Sequence, residues 1–345
     1  MATQFMSEGS GGIAEVARMT AKSLAQRFPL RALACQDAGD FTFDATPVRG
    51  FANSRPRFVA GFVGASLSAT HIVHDFVGTA RAQAFSLRRS RPNALWAHGI
   101  EVWGEARPQH LAAIRRADLV LVNSAYTMAR AERALAGARN LRLCHLGTTS
   151  DAFPEKIGPA DGPPTVLLLG RIDPLFPKGH DLLVSIWPKV VSATPGARLV
   201  FAGGGPALAQ ARELAARSPV AGSIEVMGFA TPERMEATWR RATILAMPSS
   251  AEGFGLVFVE AMRRGLPVIA SLLDAGQEIN LDGVTGFNLA RHNPDRLTEA
   301  IVTLLRDRDL AARMGAAGHA RWRDAYRFSA FDQRLQAAMA DFLAA

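Results

Sequence analysis

Short apolar runs recur along the chain, each followed by a segment long enough for a helix, and this alternation predicts parallel strands joined by helical crossovers. In the second half, runs at 165–169, 198–202, 224–227, 243–247 and 267–271 predict strands. Helices are expected over 178–192, from the Gly203-Gly204-Gly205-Pro206 turn to about 217, and starting near positions 231, 254, 294 and 309. The first half carries the same pattern less cleanly, with strands at 3–6, 30–35, 71–76, 94–98 and 119–123 and a helix over 12–27. Its opening strand is clipped against the usual ~5–6 residues, as for an edge strand or for a natural start lying upstream.

Pro154, Gly158, Pro159, Gly162, Pro163 and Pro164 give 151–164 the composition of a linker. The expected organisation is therefore a domain over 1–150, a linker over 151–164 and a domain over 165–328. A final helix over 329–345, apolar at Phe331, Leu335, Met339 and Phe342, is expected to pack back on the first domain. Two doubly wound α/β domains suit a chain of 345 residues, since single cores rarely grow beyond ~250 residues.

Composition narrows the classes. No apolar run approaches the ~20 residues that cross a bilayer, and residues 1–12 lack the basic start, apolar stretch and cleavage site of a secretory signal, so a cytoplasmic location is expected. Cys35 and Cys144 stand without a CxxC or ligand-like spacing, and neither a disulfide framework nor a metal site is expected. The net charge is +8, and it is unevenly placed: residues 1–150 hold 18 of the 39 basic and 10 of the 31 acidic side chains, so the whole excess sits in the first half. Such a field attracts a polyanion, an anionic membrane surface or an acidic substrate.

Four segments can carry chemistry. Glu252, in the loop after a strand, and Glu260, about two turns inside the following helix, flank Gly253-Phe254-Gly255 at the carboxyl end of a parallel sheet, where open α/β folds bind ligands. Carboxylates there can accept hydrogen bonds from paired sugar hydroxyls. Arg171 and Lys178 occupy another strand-to-helix loop, where a planar fork and a point charge join the amides of a helix mouth in favouring an anion. Gly11 and Gly12, in Glu8-Gly9-Ser10-Gly11-Gly12, let backbone approach a phosphate or a reacting sugar closely. His98 ends a strand between Trp96 and Trp103, placed to bond a hydroxyl or steady developing charge. The Gly203-Gly204-Gly205-Pro206 turn is not a dinucleotide fingerprint, because Leu208 stands where its third glycine belongs.

Together these segments resemble the family-four retaining glycosyltransferases of the GT-B fold, in which two Rossmann-like domains face each other across a cleft. Glu252 and Glu260 match the family's E-x7-E signature, followed by Gly265-Leu266-Pro267-Val268-Ile269-Ala270. Arg171 and Lys178 match its Gly-Arg…Lys-Gly loop, here longer by a residue or two. Gly11 and Gly12 match its amino-terminal Gly-Gly loop, and His98 its active-site histidine. Asp282-Gly283-Val284-Thr285-Gly286-Phe287 resembles its Asp-Gly-x-Thr-Gly turn, whereas its Gly-Gly-x-x-Glu loop is reduced to Ala275-Gly276-Gln277-Glu278-Ile279.

The resemblance implies a retaining, metal-independent hexosyltransferase that needs no cofactor, takes a nucleotide sugar as donor and releases GDP or UDP. It implies Glu260 on the ribose hydroxyls, Arg171 and Lys178 on the diphosphate, and Glu252 on the donor sugar. Gly11 and Gly12 would lie at the distal phosphate, His98 at the sugar's far edge, and Gly276, Gln277 and Glu278 would supply amide contacts. Arg55, Arg57, Arg88, Arg89 and Arg91, interleaved with Phe51, Phe58, Phe62 and Phe85, would suit a lipid-linked or polysaccharide acceptor, or peripheral docking on an anionic leaflet. Tryptophan-flanked His98 points toward exopolysaccharide mannosyltransferases and GDP-mannose; other UDP-linked sugars, the acceptor, the linkage and the oligomeric state stay open. Two other readings are a nucleotide-sugar 2-epimerase of the same fold and a basic nucleic-acid-binding protein, the latter lacking any reading motif.

Overall fold

A computed structural model describes residues 1–87, 91–104, 106–175 and 177–345. Two compact units divide the chain: Met1–Asp151 with Arg327–Ala345, and Ala152–Tyr326.

The second unit is built on a parallel sheet of β9 (Thr165–Leu169), β10 (Arg198–Ala202), β11 (Ile224–Gly228), β12 (Ile244–Ala246), β13 (Val268–Ser271) and β14 (Gly286–Leu289), in the order β11-β10-β9-β12-β13-β14. The central strands are buried along nearly their whole length, which explains why they read as unbroken apolar runs. Helix starts are marked by local chemistry. Thr231 accepts from the Arg234 amide ahead of Pro232–Arg241, and Asn293 from the Arg296 amide ahead of Pro294–Arg306. Of residues 151–164, expected as a linker, all but Asp151 belong to this unit: the Gly158 amide donates to the Arg264 carbonyl at 2.8 Å, and Arg308 donates to the carbonyls of Ala160 and Gly162. Proline and glycine there shape the backbone to a surface rather than freeing it.

The first unit carries β1 (Ala2–Thr3), β2 (Ala32–Ala34), β3 (Phe41–Phe43), β4 (Thr46–Gly50), β5 (Ile72–His74), β6 (Asn93–Ala97), β7 (Leu119–Val122) and β8 (Leu141–Leu143), ordered β3-β4-β2-β1-β5-β6-β7-β8. Among the described residues, only the β3–β4 pair is antiparallel. β1 is central rather than an edge, and it stops early because the next amide, that of Gln4, donates to the Asp75 carboxylate at 3.2 Å; farther on, Met6 N and Ser7 N donate to Asp37 Oδ2 at 2.8 and 3.1 Å. The β3–β4 hairpin was not expected, since its strands are short and alternately exposed and lack an apolar run.

Phe51, Phe58 and Phe62 are buried core residues, so they do not interleave with arginines on a surface; Phe85 alone of that set is exposed. The helix Arg55–Ser66 turns its phenylalanines inward and leaves Arg55 and Arg57 outside. Arg88 and Arg89 lie outside the described residues.

The last helix, Phe328–Ala344, belongs to the first unit and buries Phe331, Leu335 and Met339 completely. Phe331 stacks on Trp96 with centroids 6.3 Å apart, and Trp96 donates its indole N–H to the Thr20 hydroxyl at 3.1 Å. Asp332 accepts from Ser23 at 2.6 Å and from Arg27, and Arg334 donates to the carbonyls of His145 and Leu146. Removing the Phe331 ring opens a cavity beside Trp96. Phe331→Ala is expected to cost ~3–5 kcal/mol in the urea unfolding of the first unit, read by hydrogen exchange of its peptides, with little change in the second.

Candidate active site

The order of the second sheet reverses between β9 and β12, and in doubly wound folds such a switch point opens a crevice at the strands' carboxyl ends. The loop after β9 holds Arg171 and Lys178, and the loop after β12 holds Glu252. The two loops meet: Lys178 Nζ lies 2.5 Å from Glu252 Oε2 and 3.3 Å from the Ala251 carbonyl. Arg171 is exposed and pairs with Asp173 at 3.0 Å. The triple-glycine turn after β10 has a packing role here. A Cβ on Gly203 would lie 2.2 Å from the Gly170 carbonyl oxygen, and one on Gly205 2.2 Å from that of Ile172, so only glycine lets this turn close on the Arg171 loop. Beyond it, the helix His180–Ala193 starts at Gly179 with no side-chain cap, so no side chain of the cap residue takes up its first amides.

After Glu252 the chain turns through Gly255, whose φ of 91° is left-handed, into the helix Leu256–Arg263. Phe254 is buried edge-on against Tyr326, so its ring is an anchor and only its main chain can face a ligand. The helix starts later than its sequence predicts, which puts Glu260 little more than one turn inside it rather than two.

Sequence reasoning missed Asp274, which follows β13. Its fully buried carboxylate accepts from the Ser249 hydroxyl, from Glu252 N at 3.1 Å and from Gly276 N at 2.9 Å. Burial pushes its pKa up to about 6; the Ser249 hydroxyl, the Gly276 amide and the Lys178 ammonium act against the rise and the Glu252 carboxylate adds to it. The Gly276 amide, expected to be open to a ligand, is therefore occupied. Gln277 closes the same turn by donating to the carbonyls of Leu272 and Asp274. An aspartate between two leucines and an alanine gives no motif to read, which is why it escaped notice.

The first unit presents its own switch point between β1 and β5. Past β1, Gly11 (φ 90°) precedes the helix Gly12–Ala25, which has no side-chain cap, and both glycines are exposed. Asp37 and Arg18 fix the loop leading there: Arg18 donates to the Ser7 carbonyl at 2.6 Å and pairs with Glu15. His98, past β6, is held on three sides. Its amide and that of Gly99 donate to Glu101 Oε2 at 3.1 and 2.8 Å, its carbonyl accepts from Asn123 at 3.1 Å, and its Nε2 lies 2.5 Å from the Asp75 carbonyl oxygen. A carbonyl only accepts, so Nε2 carries a proton and Nδ1 is the ring nitrogen left to face a ligand.

Residues 149–321 match the family model "Glycosyl transferases group 1". The GDP-mannose-dependent alpha-(1-6)-phosphatidylinositol monomannoside mannosyltransferase of Mycobacterium tuberculosis is 34% identical over 270 residues, covering 71% of this chain and 68% of that protein. The enzyme of the same name from Mycolicibacterium smegmatis is 32% identical over 242 residues, covering 64% of this chain and 63% of that one. Among solved structures, Anabaena HepE in complex with UDP and glucose superposes with a TM-score of 0.83 at 19% identity, covering 98% of both chains. Sucrose-phosphate synthase of Thermosynechococcus elongatus does so at 0.83 and 20%, covering 99% of this chain and 98% of that one. The fold is thus GT-B, and the chain belongs to the group 1 glycosyltransferases. It is a hexosyltransferase, which decides among the three readings of its sequence in favour of sugar transfer.

Asp75 gives the first unit a pH dependence. It is fully buried, and burial pushes its pKa up from 3.8 to about 7 against the hydrogen bonds from Thr3 and the Gln4 amide. The Thr3 hydroxyl lies 2.7 Å from the Phe5 carbonyl and 2.6 Å from Asp75 Oδ2, and its one proton cannot serve both acceptors; a protonated Asp75 resolves this by donating to Thr3. A folded-state pKa above the unfolded one means that the stabilisation is full below about pH 4 and is lost as pH rises to about 7. Urea midpoints of the first unit are expected to fall across that window, and Asp75→Asn, whose amide can donate to Thr3, to flatten the dependence. Equal midpoints for the wild type at pH 5 and pH 8 would contradict this.

Proposed function

We propose that this protein transfers mannose, with retention of anomeric configuration and without a metal ion, from GDP-mannose to a phosphatidylinositol-type glycolipid or a related lipid-linked acceptor. The observation that carries the reading is the meeting of Lys178 and Glu252 at the switch point, between two strand-to-helix loops of a group 1 glycosyltransferase. The names of the mannosyltransferase relatives support the donor and the acceptor class.

In this reading Glu260 holds the ribose hydroxyls, while Arg171 and Lys178 face the diphosphate with the open mouths of the helices after Gly11-Gly12 and Gly179. Glu252 and the main chain of Gly253-Phe254-Gly255 meet the sugar, Gln277 lines the same side, and His98 lies at the sugar's far edge. The bond between the anomeric carbon and the diphosphate oxygen breaks, and charge accumulates on the leaving group. Cations and amides already aimed there lower the barrier without reorganising. The acceptor hydroxyl attacks from the same face, and its proton passes to the departing phosphate oxygen, so GDP leaves and a mannoside forms. Glu252 is engaged by Lys178, which suits a carboxylate that orients hydroxyls better than one that attacks carbon.

The first unit is proposed to meet an anionic membrane surface peripherally. Among the described residues no helix is long and apolar enough to cross a membrane. Arg31, Arg49 and Arg57 border a groove of about 770 Å³ floored by Leu33, Val48 and Phe51, and exposed Arg55 adds to the same field. Each cation near an anionic leaflet contributes ~1 kcal/mol.

Two measurements test these readings. Thermal-shift titration should show GDP and GDP-mannose binding at least tenfold more tightly than their UDP counterparts, with Glu260→Ala weakening GDP by a similar factor; equal binding of both bases, or none, would remove the GDP-mannose assignment. Co-sedimentation with vesicles should rise with phosphatidylglycerol content, fall with salt and drop severalfold in an Arg49→Glu, Arg57→Glu double variant. Salt-independent binding, or none, would set the membrane reading aside.

A further inference from the structure

We infer that Asp274 is a positioning residue for transfer, its carboxylate clamping together the loop that carries Glu252 and the turn that starts at Gly276. The inference rests on the reading that Glu252 meets the donor sugar. Three donors from two segments converge on this carboxylate: Oδ2 accepts from the Ser249 hydroxyl and from Glu252 N at 3.1 Å, and Oδ1 accepts from Gly276 N at 2.9 Å. The tie is reciprocal, because the Glu252 carbonyl accepts from Ala275 N at 3.1 Å. Glu252 is thus fixed through its main chain by the segment after β13 and through its side chain by Lys178. Four ties from two neighbouring loops, to Ser249, to Glu252 N and carbonyl, and to the Glu252 side chain, leave its carboxylate little freedom to wander from the crevice.

The chemistry of the clamp demands an acceptor at both oxygens. The amides of Glu252 and Gly276 cannot reverse their role, so an isosteric asparagine must set its NH2 against one of them, and a buried donor left facing a donor costs about 1–3 kcal/mol. Ionisation matters too: the carboxylate accepts at both oxygens, whereas in the acid form the protonated oxygen can donate only to the Ser249 hydroxyl and is a weaker acceptor for the Glu252 amide. The charged groups that face it are Glu252, which favours protonation, and Lys178, which opposes it. With burial raising the pKa to about 6, the clamp is set above that pH and loosens below it. Transfer should therefore fall on an acid limb near pH 6.

The test compares wild type with Asp274→Asn and Ser249→Ala over pH 5–8, measuring transfer from GDP-mannose, GDP affinity and hydrogen exchange of the segments 249–255 and 274–279. For Asp274→Asn, kcat is expected to fall at least tenfold and the acid limb to vanish, with GDP affinity within threefold of wild type and exchange in both segments at least tenfold faster. For Ser249→Ala, loss of a hydrogen bond that favours the carboxylate should move the acid limb to higher pH, a result that a merely structural aspartate would not give. Wild-type kcat and an unchanged acid limb in Asp274→Asn overturn the inference. So does an unmoved limb in Ser249→Ala, which stands as the test should Asp274→Asn fail to fold. If the wild type transfers no sugar, the functional reading fails instead, and the exchange rates still decide whether Asp274 clamps the two segments.

Discussion

The reversal of strand order between β9 and β12 is the constraint on which the rest of the site depends. Parallel strands send all their carboxyl ends to one edge, and each is followed by a helix that must cross a face of the sheet. Where successive crossovers leave in opposite directions, the loops between them part and a crevice opens. The Arg171–Lys178 loop and the Glu252 loop border that crevice because of topology alone. Gly203 and Gly205 then allow the β10 turn to close against the first of them, and Gly179, whose Cβ would meet Pro248 at 2.6 Å, brings the two sides together.

Within that frame, the polar groups are arranged so that few are left to choose their own conformation. Lys178 and Glu252, both half-buried, hold each other; an ion pair of this kind offsets much of its desolvation cost without adding much to stability, so its worth lies in orientation. Asp274 fixes the loop beneath Glu252, as Asp37 fixes the loop beneath Gly11 and as Glu101 and Asn123 fix the main chain of His98. In each case a buried acceptor or amide outside the recognised motif holds a motif residue by its backbone. Preorganisation of this sort supports electrostatic stabilisation of a departing diphosphate, because donors that are already fixed do not reorganise as charge develops.

The sequence made the second unit legible for a physical reason. Its strands are buried on both faces and its helices begin with recognisable caps, so periodicity and turn chemistry agree. The first unit was harder to read. β1 is cut short where the Gln4 amide turns to Asp75, a residue far along the chain, and β3 and β4 alternate in exposure over a few residues each. Phe51, Phe58 and Phe62 looked like a mixed surface because arginines interrupt them, yet their spacing on and beside the helix Arg55–Ser66 turns them into the core. At the site, the sequence singles out residues whose chemistry is written in a motif, whereas those that act through another residue's backbone carry no such mark. Asp274, Glu101 and Asn123 are recognisable only when their partners are in view.

Hydrogen exchange of the protein with and without GDP tests the central claim most directly, since it asks where a nucleotide is held without presuming turnover. Slowed exchange is expected in 170–180 and 249–260, on both sides of the β9/β12 switch point, with a smaller effect in 274–279. Protection confined to other segments, with those loops exchanging as in the free protein, would contradict it.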